Sequence, residues 1–325
     1  MSLYLITGGC GFIGSHLADL LLEYGHKVRV LDDLSTGKRE NLSPRAELLL
    51  GDVADRAVVE QALLGVDGCF HLAAVASVER CNRDWIGSHR TNLTGTITIF
   101  ACARATMTRA AIPVVYASSA AVYGDQSVSP LSEKLQPQPL SAYGADKLGC
   151  ELHARVATLI HRVSAVGLRF FNVYGPRQDP KSPYSGVISI FNDHLRRGLP
   201  INLFGDGEQV RDFVYVRDVT QALWAAMQIS HPIGSVFNVC TQTPTTILQL
   251  AHTIAGLWRM SPIIRNQPAR EGDIRVSLGD ARLATAQLKW SARTSLTTGL
   301  VDMMHERWIV TPAPPSPAAS SARPV

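Results

Sequence analysis

The sequence of 325 residues lacks the features that mark metal-binding, disulfide-linked or membrane-inserted chains. Its six cysteines are scattered, with no Cys-x-x-Cys pair and no neighbouring histidine cluster, which argues against structural zinc and for reduced thiols. No apolar run is long enough to span a bilayer, and no basic leader precedes the first strand-like segment. The formal charge of +4 is small and spread along the chain. We therefore expect a cytoplasmic protein with no metal, no nucleic-acid partner and no membrane partner.

Short apolar segments with the length of buried strands alternate with helical patterns through the first half of the chain. This alternation predicts parallel strands joined by crossover helices, and strands this apolar are covered on both faces. The predicted fold class is α/β, a doubly wound parallel Rossmann sheet that binds its ligand at the carboxyl ends of the strands. The predicted strands are 2–7, 27–31, 46–50, 68–73, 113–118 and 165–171, and the predicted helices include 58–64, 92–109 and 144–161.

The rhythm changes after Tyr174, where prolines interrupt the pattern and shorter, mixed elements follow. This change predicts a smaller mixed α/β lobe for substrate binding, partly interleaved with the Rossmann domain. The last residues are rich in Pro, Ala and Ser and lack large apolar side chains, a composition typical of disorder. The predicted organisation is a Rossmann domain over 1–174, a second lobe over 175–310 and a disordered tail over 311–325.

The glycine motif at the start of the chain lies between a predicted strand and a predicted helix. Gly8, Gly11 and Gly14 permit a tight turn, a close backbone approach to a pyrophosphate, and close packing of helix on strand. Asp32 ends the second strand, where its carboxylate can accept hydrogen bonds from an adenosine ribose, and Asp33 adds charge that would repel a 2′-phosphate. A glycine-rich surface turn is the plainer interpretation of the glycines alone, but the complete strand–loop–helix–strand–acid unit favours an NAD site.

A hydroxyl, a phenol and a cation form a candidate reacting group. Ser118 and Ser119 end a strand at the ligand edge of the predicted sheet, and Tyr143 and Lys147 lie one helical turn apart. A tyrosine is a poor base at neutral pH because a phenol ordinarily titrates at about pH 10, and a nearby cation favours the phenolate. Such a group can take a proton from a sugar hydroxyl while hydride leaves the same carbon. The Tyr-x-x-x-Lys spacing alone is weak evidence, because a solvated helix face produces it equally well.

The ordered set of motifs resembles an extended short-chain dehydrogenase/reductase, and within that group the UDP-hexose 4-epimerases. The resemblance covers about residues 2–310 and rests on Thr7-Gly-x-x-Gly-x-x-Gly14, Asp32, Asp52-Val53, Asn92, Ser119, Tyr143-x-x-x-Lys147 and Arg169-x-Phe-Asn172. It implies a tightly held NAD, a 4-keto sugar that turns over in the site, and return of hydride to its opposite face. Ser119, Tyr143 and Lys147 are implied as the catalytic residues. The implied NAD-binding residues are Gly8, Gly11, Phe12, Ile13, Gly14, Asp32, Asp33, Asp52, Val53, Leu72, Ala73, Ala74, Asn92, Tyr143, Lys147 and Phe171.

The resemblance continues into the predicted second lobe and implies a UDP-sugar substrate. Arg211 and Arg270 would bind the diphosphate, since an arginine fork can pair two phosphate oxygens, although a surface ion pair is the plainer interpretation of either alone. Asp273 would bind the uridine ribose. A small residue, Ser277, stands where a tyrosine would crowd an N-acetyl group, so the sequence favours UDP-GlcNAc and UDP-GalNAc, with UDP-Glc and UDP-Gal as further substrates. The implied substrate-binding residues are Ser119, Asn172, Val187, Asn202, Phe204, Arg211, Arg270, Asp273 and Ser277.

The residues after Ser119 distinguish the epimerases from related enzymes that catalyse other reactions. Related dehydratases and decarboxylases carry acids there, whereas this chain has Ala120 and Ala121, which cannot move protons. The epimerases often have threonine where Ala121 stands, so contacts beside the sugar differ here. A UDP-glucuronate 4-epimerase remains an alternative, with Arg177 or another arginine as a candidate cation near C6, and a non-catalytic NAD(H) sensor is a more distant one. The resemblance also implies a homodimer formed through the helices at 92–109 and 144–161.

Overall fold

The computed structural model describes residues 1–178, 186–229, 234–270 and 272–308, with the side chains of 306–308 left out. The tail at 311–325, which the sequence predicts to be disordered, lies outside the described residues. The described strands are β1 Leu3–Thr7, β2 Lys27–Asp32, β3 Glu47–Leu50, β4 Gly68–His71, β5 Val114–Ser119, β6 Ala165–Phe170, β7 Asn172–Tyr174, β8 Ile201–Phe204, β9 Val210–Tyr215, β10 Val236–Val239, β11 Pro244–Thr246, β12 Ile264–Gln267 and β13 Val276–Ser277. The helices are α1 Phe12–Glu23, α2 Arg56–Ala62, α3 Val78–Arg83, α4 Trp85–His89, α5 Gly95–Ala103, α6 Ala142–His161, α7 Val187–Arg196, α8 Val216–Met227, α9 Ile247–Leu257, α10 Arg282–Leu288 and α11 Leu296–Trp308.

Seven parallel strands form the main sheet in the order β10-β6-β5-β4-β1-β2-β3. The order reverses between β1 and β4, so the carboxyl ends of these strands open the crevice where a doubly wound sheet binds its ligand. The predicted fold class is therefore confirmed, and the six predicted strands match β1 to β6 within one or two residues at each end.

Each face of the sheet is covered by its own helices, which explains why its strands are apolar on both sides. Leu17 and Leu21 of α1 pack with Val219 and Leu223 of α8 on one face. Val59 of α2 packs with residues of α5 and α6 on the other. Burial of each such leucine contributes about 1.5–3 kcal/mol relative to exposure.

Two smaller sheets form a mixed lobe after residue 174. Strand β9 pairs with β7 and β13 in parallel and with β11 antiparallel, while β8 pairs with β12. Around them, Phe191, Ile201, Phe213 and Leu250 build a separate core. Strand β10 and helix α8 nevertheless join the main sheet, so the second half of the chain contributes to both units. The boundary at residue 174 stays a prediction.

The helix predicted over 92–109 is shorter and interrupted. A π-helical turn covers Arg90–Thr94, α5 begins at Gly95, and it ends at Ala103, six residues before the predicted end. The π turn places Asn92 inside the protein with no exposed surface. Turns of this kind recur at functional sites, and they leave no signature in a helical hydrophobic pattern.

None of the helices in the described ranges combines the length and apolar character needed to cross a bilayer. Within the same ranges, no three His, Cys, Asp or Glu side chains come together as a potential metal site. All six cysteines are buried free thiols.

Candidate active site at the carboxyl edge of the main sheet

The glycine loop between β1 and α1 forms a cradle that only small residues fit. Gly8 has a φ of +70°, and a Cβ on it would lie 2.8 Å from the backbone nitrogen of Ala73. A Cβ on Gly14 would lie 2.2 Å from the carbonyl oxygen of Gly8. The Gly11 N–H donates to the same oxygen at 3.1 Å, which closes the turn. The backbone packing therefore explains these glycines independently of any ligand, and it leaves the loop surface free of side chains.

The first turn of α1 is a site for a negatively charged group. Its N-cap is Gly11, no side chain caps it, and no acidic residue lies in the first turn. The N–H groups that begin a helix have no partner within it, and the helix dipole favours an anion there. The Phe12 and Ile13 side chains turn toward the core of the second lobe. These two residues therefore present backbone rather than side chains to a pyrophosphate.

Asp32 lies at the end of β2 with its carboxylate held in one orientation. One oxygen accepts from the Cys10 N–H and the other from the Leu34 N–H, both at 2.9 Å. Burial raises the pKa of this carboxyl, and the two N–H donors oppose that rise. Asp33 is exposed and accepts from the Ser35 N–H. A fixed carboxylate beside an uncapped helix suits the ribose and pyrophosphate of NAD.

The loop after β4 lies beside Gly8 of the glycine loop, and Asn92 is hydrogen-bonded to it. The Asn92 side chain accepts from the Val75 N–H at 2.8 Å and donates to the Val75 oxygen at 3.3 Å. This arrangement makes Asn92 a support for the loop that contains Leu72, Ala73 and Ala74. On the other side of β1, Val53 is buried against Gly95, and Asp52 pairs with Arg90 at 2.6 Å.

The three candidate catalytic residues lie at the end of β5 and in the first turns of α6. Ser119 is half-buried, and its hydroxyl accepts from the Ala121 N–H at 3.1 Å. Lys147 is buried, and its ammonium donates to the Ala117 oxygen at 2.9 Å. The same ammonium lies 5.8 Å from the ring centroid of Tyr143. The structure therefore brings a cation beside the phenol and fixes it to the strand that carries the serine.

A buried ion pair that sequence analysis missed fastens α6 to the sheet. Glu151 accepts two hydrogen bonds from Arg169, at 2.8 and 2.7 Å, and one from the Ser118 hydroxyl at 2.6 Å. The Arg169 guanidinium also lies over the Tyr123 ring at 4.7 Å. Two signals in the sequence point to this pair: Arg169 interrupts an apolar strand, and Glu151 follows Lys147 by one helical turn.

The residues after β6 lead from the cofactor side to the second lobe. Phe171 is buried and packs beside Tyr123, with the ring centroids 6.4 Å apart. Asn172 is exposed at the start of β7, so its amide is available to a ligand. Val187 begins α7 and is half-buried against the core of the second lobe.

Arg211 and Asp273 meet in the second lobe, where the sequence predicts the nucleotide-sugar site. The two side chains pair at 2.5 Å, and Gln209 donates to the other oxygen of Asp273 at 3.1 Å. Arg211 also donates to the backbone oxygens of Val210 and Ile274. These bonds fix the position of the guanidinium, while Asp273 is exposed.

A second arginine and an aromatic ring lie along the neighbouring β8–β12 sheet. The guanidinium of Arg270 is 4.0 Å from the ring centroid of Phe204, in cation–π geometry. Asn202 is exposed on β8 and accepts from Gln267 at 3.4 Å. Of the residues assigned to nucleotide binding, Asn202 and Phe204 lie on β8 and Arg211 on β9, while Arg270 and Asp273 lie between β12 and β13.

Ser277 is half-buried in β13, directly paired with Arg211 of β9. The strand is held beyond the serine by Asp212, a buried carboxylate that accepts from the N–H groups of Gly279, Thr241 and Gln242. Burial raises the pKa of Asp212, and these donors oppose the rise. Ser277 therefore sits on a strand whose backbone is fixed next to a candidate phosphate-binding arginine.

Arg177 is engaged in an ion pair with Asp19 of α1, at 2.7 Å, and donates to the Asn41 oxygen at 3.4 Å. The pair neutralises the guanidinium that sequence analysis considered as a partner for a sugar carboxylate. The glucuronate alternative would therefore need either release of this pair or another arginine near C6.

Comparisons with known proteins show which families and folds this chain resembles. Residues 4–240 match the family model described as the NAD dependent epimerase/dehydratase family. A UDP-glucose 4-epimerase of Mycolicibacterium smegmatis is 36% identical over 305 residues, which cover 91% of this chain and 95% of the relative. The crystal structure of a Thermotoga maritima UDP-glucose 4-epimerase with UDP-glucose superposes with a TM-score of 0.89, at 35% identity and with 95% and 100% coverage. A UDP-N-acetylglucosamine 4-epimerase of Methanobrevibacter ruminantium, solved with UDP-N-acetylmuramic acid, gives a TM-score of 0.88 at 32% identity, with 95% and 98% coverage.

Proposed function

The chain belongs to the NAD dependent epimerase/dehydratase family, with NAD as its cofactor, and we propose that it epimerises UDP-hexoses at C4 through a 4-keto intermediate. The observation that carries the proposal is the position of Lys147, fixed to Ala117 at the end of β5 and beside the ring of Tyr143. In this proposal the Tyr143 phenol and the Ser119 hydroxyl act together at the carboxyl edge of the sheet.

The division of labour follows from the chemistry of the residues. Tyr143 takes the proton from the C4 hydroxyl, and the charge of Lys147 stabilises the phenolate that precedes this step. Ser119 hydrogen-bonds the C4 oxygen and shares the proton path. NAD, when bound, supplies the hydride acceptor and returns the hydride to the sugar. Arg211 and Arg270 hold the diphosphate, so that the sugar can turn while the nucleotide stays in place.

The proposed substrates are UDP-GlcNAc and UDP-GalNAc, with UDP-Glc and UDP-Gal as further substrates. Ser277 supports the N-acetylated pair, because its small side chain stands beside Arg211 and leaves room at C2. The relatives with solved structures include proteins named for each kind of sugar, which is consistent with a pocket of this breadth. UDP-glucuronate is the second candidate, and it would need either release of the Arg177–Asp19 pair or another arginine near C6.

Incubation of the purified protein with each UDP-sugar, without added cofactor, tests the proposed function. We expect interconversion of the two C4 epimers without consumption of external nucleotide, and release of NAD(H) on denaturation, because the same hydride is used twice. Products are identified by NMR or chromatography. A requirement for stoichiometric NADPH would contradict the epimerase assignment, and NAD binding with no turnover of any UDP-sugar would favour a sensor.

We further propose a homodimer built on the exposed face of α6. Leu152, Val156, Leu159 and Ile160 follow helical spacing on one side and are each between 49% and 70% exposed. An apolar stripe of this size on a helix indicates a protein partner. Sedimentation equilibrium is expected to give twice 35.3 kDa for the wild type and a lower mass for Leu159→Glu. A wild-type protein that stays monomeric at about 10 µM would contradict the proposal, since a stable homodimer with a dissociation constant near 1 µM would be mainly associated there.

A cytoplasmic location is also proposed, since six free buried thiols suit a reducing compartment. Cell fractionation that recovered the protein from an oxidising compartment would contradict it.

A further inference from the structure

His71 occupies the last position of β4, between the two strands that lead into the cofactor cradle. It is aligned with Thr7 of β1 on one side and with Tyr116 of β5 on the other. Its side chain is 3% exposed, and both ring nitrogens have partners. The following loop is the one that crosses the glycine loop at Gly8. The buried His71 ring is therefore hydrogen-bonded to Thr7, the residue that immediately precedes the glycine loop.

The hydrogen-bond partners of Thr96 determine whether the Nε2 atom of His71 carries a hydrogen. The Thr96 hydroxyl oxygen lies 2.6 Å from the Asn92 carbonyl oxygen, which can only accept, so the hydroxyl hydrogen lies between them. Without that hydrogen, two acceptor oxygens would face each other at 2.6 Å. Toward His71 Nε2, at 2.9 Å, Thr96 therefore offers a lone pair. Nε2 must carry a hydrogen, while the Cys150 thiol lies within reach of both the Thr96 hydroxyl, at 3.2 Å, and the Asn92 carbonyl oxygen, at 3.3 Å.

The partners of Thr7 give the same tautomer independently. Its hydroxyl oxygen accepts from the Ala73 N–H at 3.2 Å and, also at 3.2 Å, from the Leu72 N–H, which is shared with the Thr7 carbonyl oxygen at 3.1 Å. Its hydrogen is then directed to His71 Nδ1 at 2.7 Å, so Nδ1 is an acceptor. A protonated ring would add a third donor to a hydroxyl oxygen that already accepts from two N–H groups. Burial, followed by the charge of Lys147, lowers the pKa of His71 to about 3.

We propose that His71 is a positioning residue: a neutral, Nε2-protonated imidazole that orients Thr7 so that Thr7 holds the Leu72–Ala73 backbone against the glycine loop. The ring connects α5, through Thr96, to the two loops of the cofactor cradle. It does not exchange protons with substrate. The part of this proposal that concerns cofactor retention rests on the NAD site described above, and the part that concerns the tautomer rests on the hydrogen-bond network alone.

Long-range 1H–15N NMR of the histidine rings of the purified holoenzyme tests the tautomer. We expect the His71 signal, assigned by its loss in His71→Asn, to show a protonated Nε2 and an unprotonated Nδ1 from about pH 5.5 to 8.5, a window well above its lowered pKa. A hydrogen on Nδ1, or titration within that window, would overturn the proposal. If His71→Asn does not fold, the shift of the same signal in Thr96→Val provides the assignment.

A matched pair of threonines tests the positioning role. Thr96 and Thr98 both lie on α5 and both donate to the carbonyl four residues earlier, but only Thr96 contacts His71. Thr96→Val is expected to release bound NAD from the holoenzyme about tenfold faster than wild type, the effect of about one hydrogen bond, with Thr98→Val unchanged. Equal rates of NAD loss in the two variants would refute the positioning role. This readout needs no UDP-sugar turnover, so failure of the proposed function leaves its result interpretable.

Discussion

Replacing Tyr143 with phenylalanine is expected to lower kcat for UDP-sugar epimerisation by about 10²- to 10⁴-fold, the range that a positioned acid or base contributes. The variant removes one oxygen and keeps the ring that lies beside the Lys147 ammonium. Lys147 itself remains bonded to Ala117, so the junction of α6 with β5 is preserved. The bound NAD content and the thermal midpoint should therefore stay close to those of the wild type.

Tyr24→Phe is the matched control, because Tyr24 is an exposed tyrosine whose hydroxyl contacts Gln221 at the surface. Tyr24→Phe also loses a phenol oxygen, but Tyr24 is not one of the three candidate catalytic residues. Its kcat should therefore equal that of the wild type. Rates are measured by coupled assay or by NMR on matched protein concentrations. Turnover of Tyr143→Phe within a few-fold of wild type would remove Tyr143 from the role of acid/base.

The parts of the fold that local patterns specify were predictable from the sequence. Strands β1 to β6 are continuous apolar runs because both faces of the sheet are covered. The glycine cradle was predictable because Gly8 and Gly14 meet steric limits set by nearby backbone. The limit on Gly14 is local, since it is set by Gly8 and Gly9, whereas the limit on Gly8 is set by Ala73 of the loop after β4.

The features that sequence analysis missed depend on contacts between distant segments. Strand β10 joins the sheet beside β6, although about seventy residues separate the two along the chain. The π turn before α5 leaves the hydrophobic pattern unchanged, so the interrupted helix could not be distinguished from a longer one. Its effect on the structure is to bring Asn92 into contact with Val75 of the loop after β4.

Polar residues within apolar strands can be recognised in the sequence, but their hydrogen-bond partners cannot. Arg169 and His71 each stand in an otherwise apolar strand, and a buried polar group requires a partner. The identity of that partner follows from tertiary structure: Glu151 for Arg169, and Thr7 with Thr96 for His71. Sequence can therefore indicate that such a network exists, while its members become known only from the fold.

Substitution of Ser277 by tyrosine is expected to change the choice among UDP-sugars. The added ring would enter the space that we assign to the acetamido group at C2. Strand β13 cannot move aside easily, because it pairs with β9 and its backbone continues to the Asp212 anchor at Gly279. Overpacking of a formed pocket costs about 1–3 kcal/mol. The corresponding loss in kcat/KM for UDP-GlcNAc and UDP-GalNAc is roughly tenfold to a hundredfold.

UDP-Glc and UDP-Gal carry a hydroxyl at C2, so Ser277→Tyr should leave their kcat/KM nearly unchanged. The decisive quantity is the ratio of kcat/KM for the N-acetylated pair to that for the plain pair, compared between wild type and variant. Ser277→Ala is the control, because it keeps the space at C2 and should keep the wild-type ratio. Ser277 pairs with Arg211, which lies in the candidate diphosphate site. A general distortion of that site by the tyrosine would therefore lower kcat/KM for the N-acetylated and the plain UDP-sugars together. An unchanged ratio in Ser277→Tyr would show that this side chain does not line the sugar pocket, and the proposed preference for N-acetylated sugars would lose its main support.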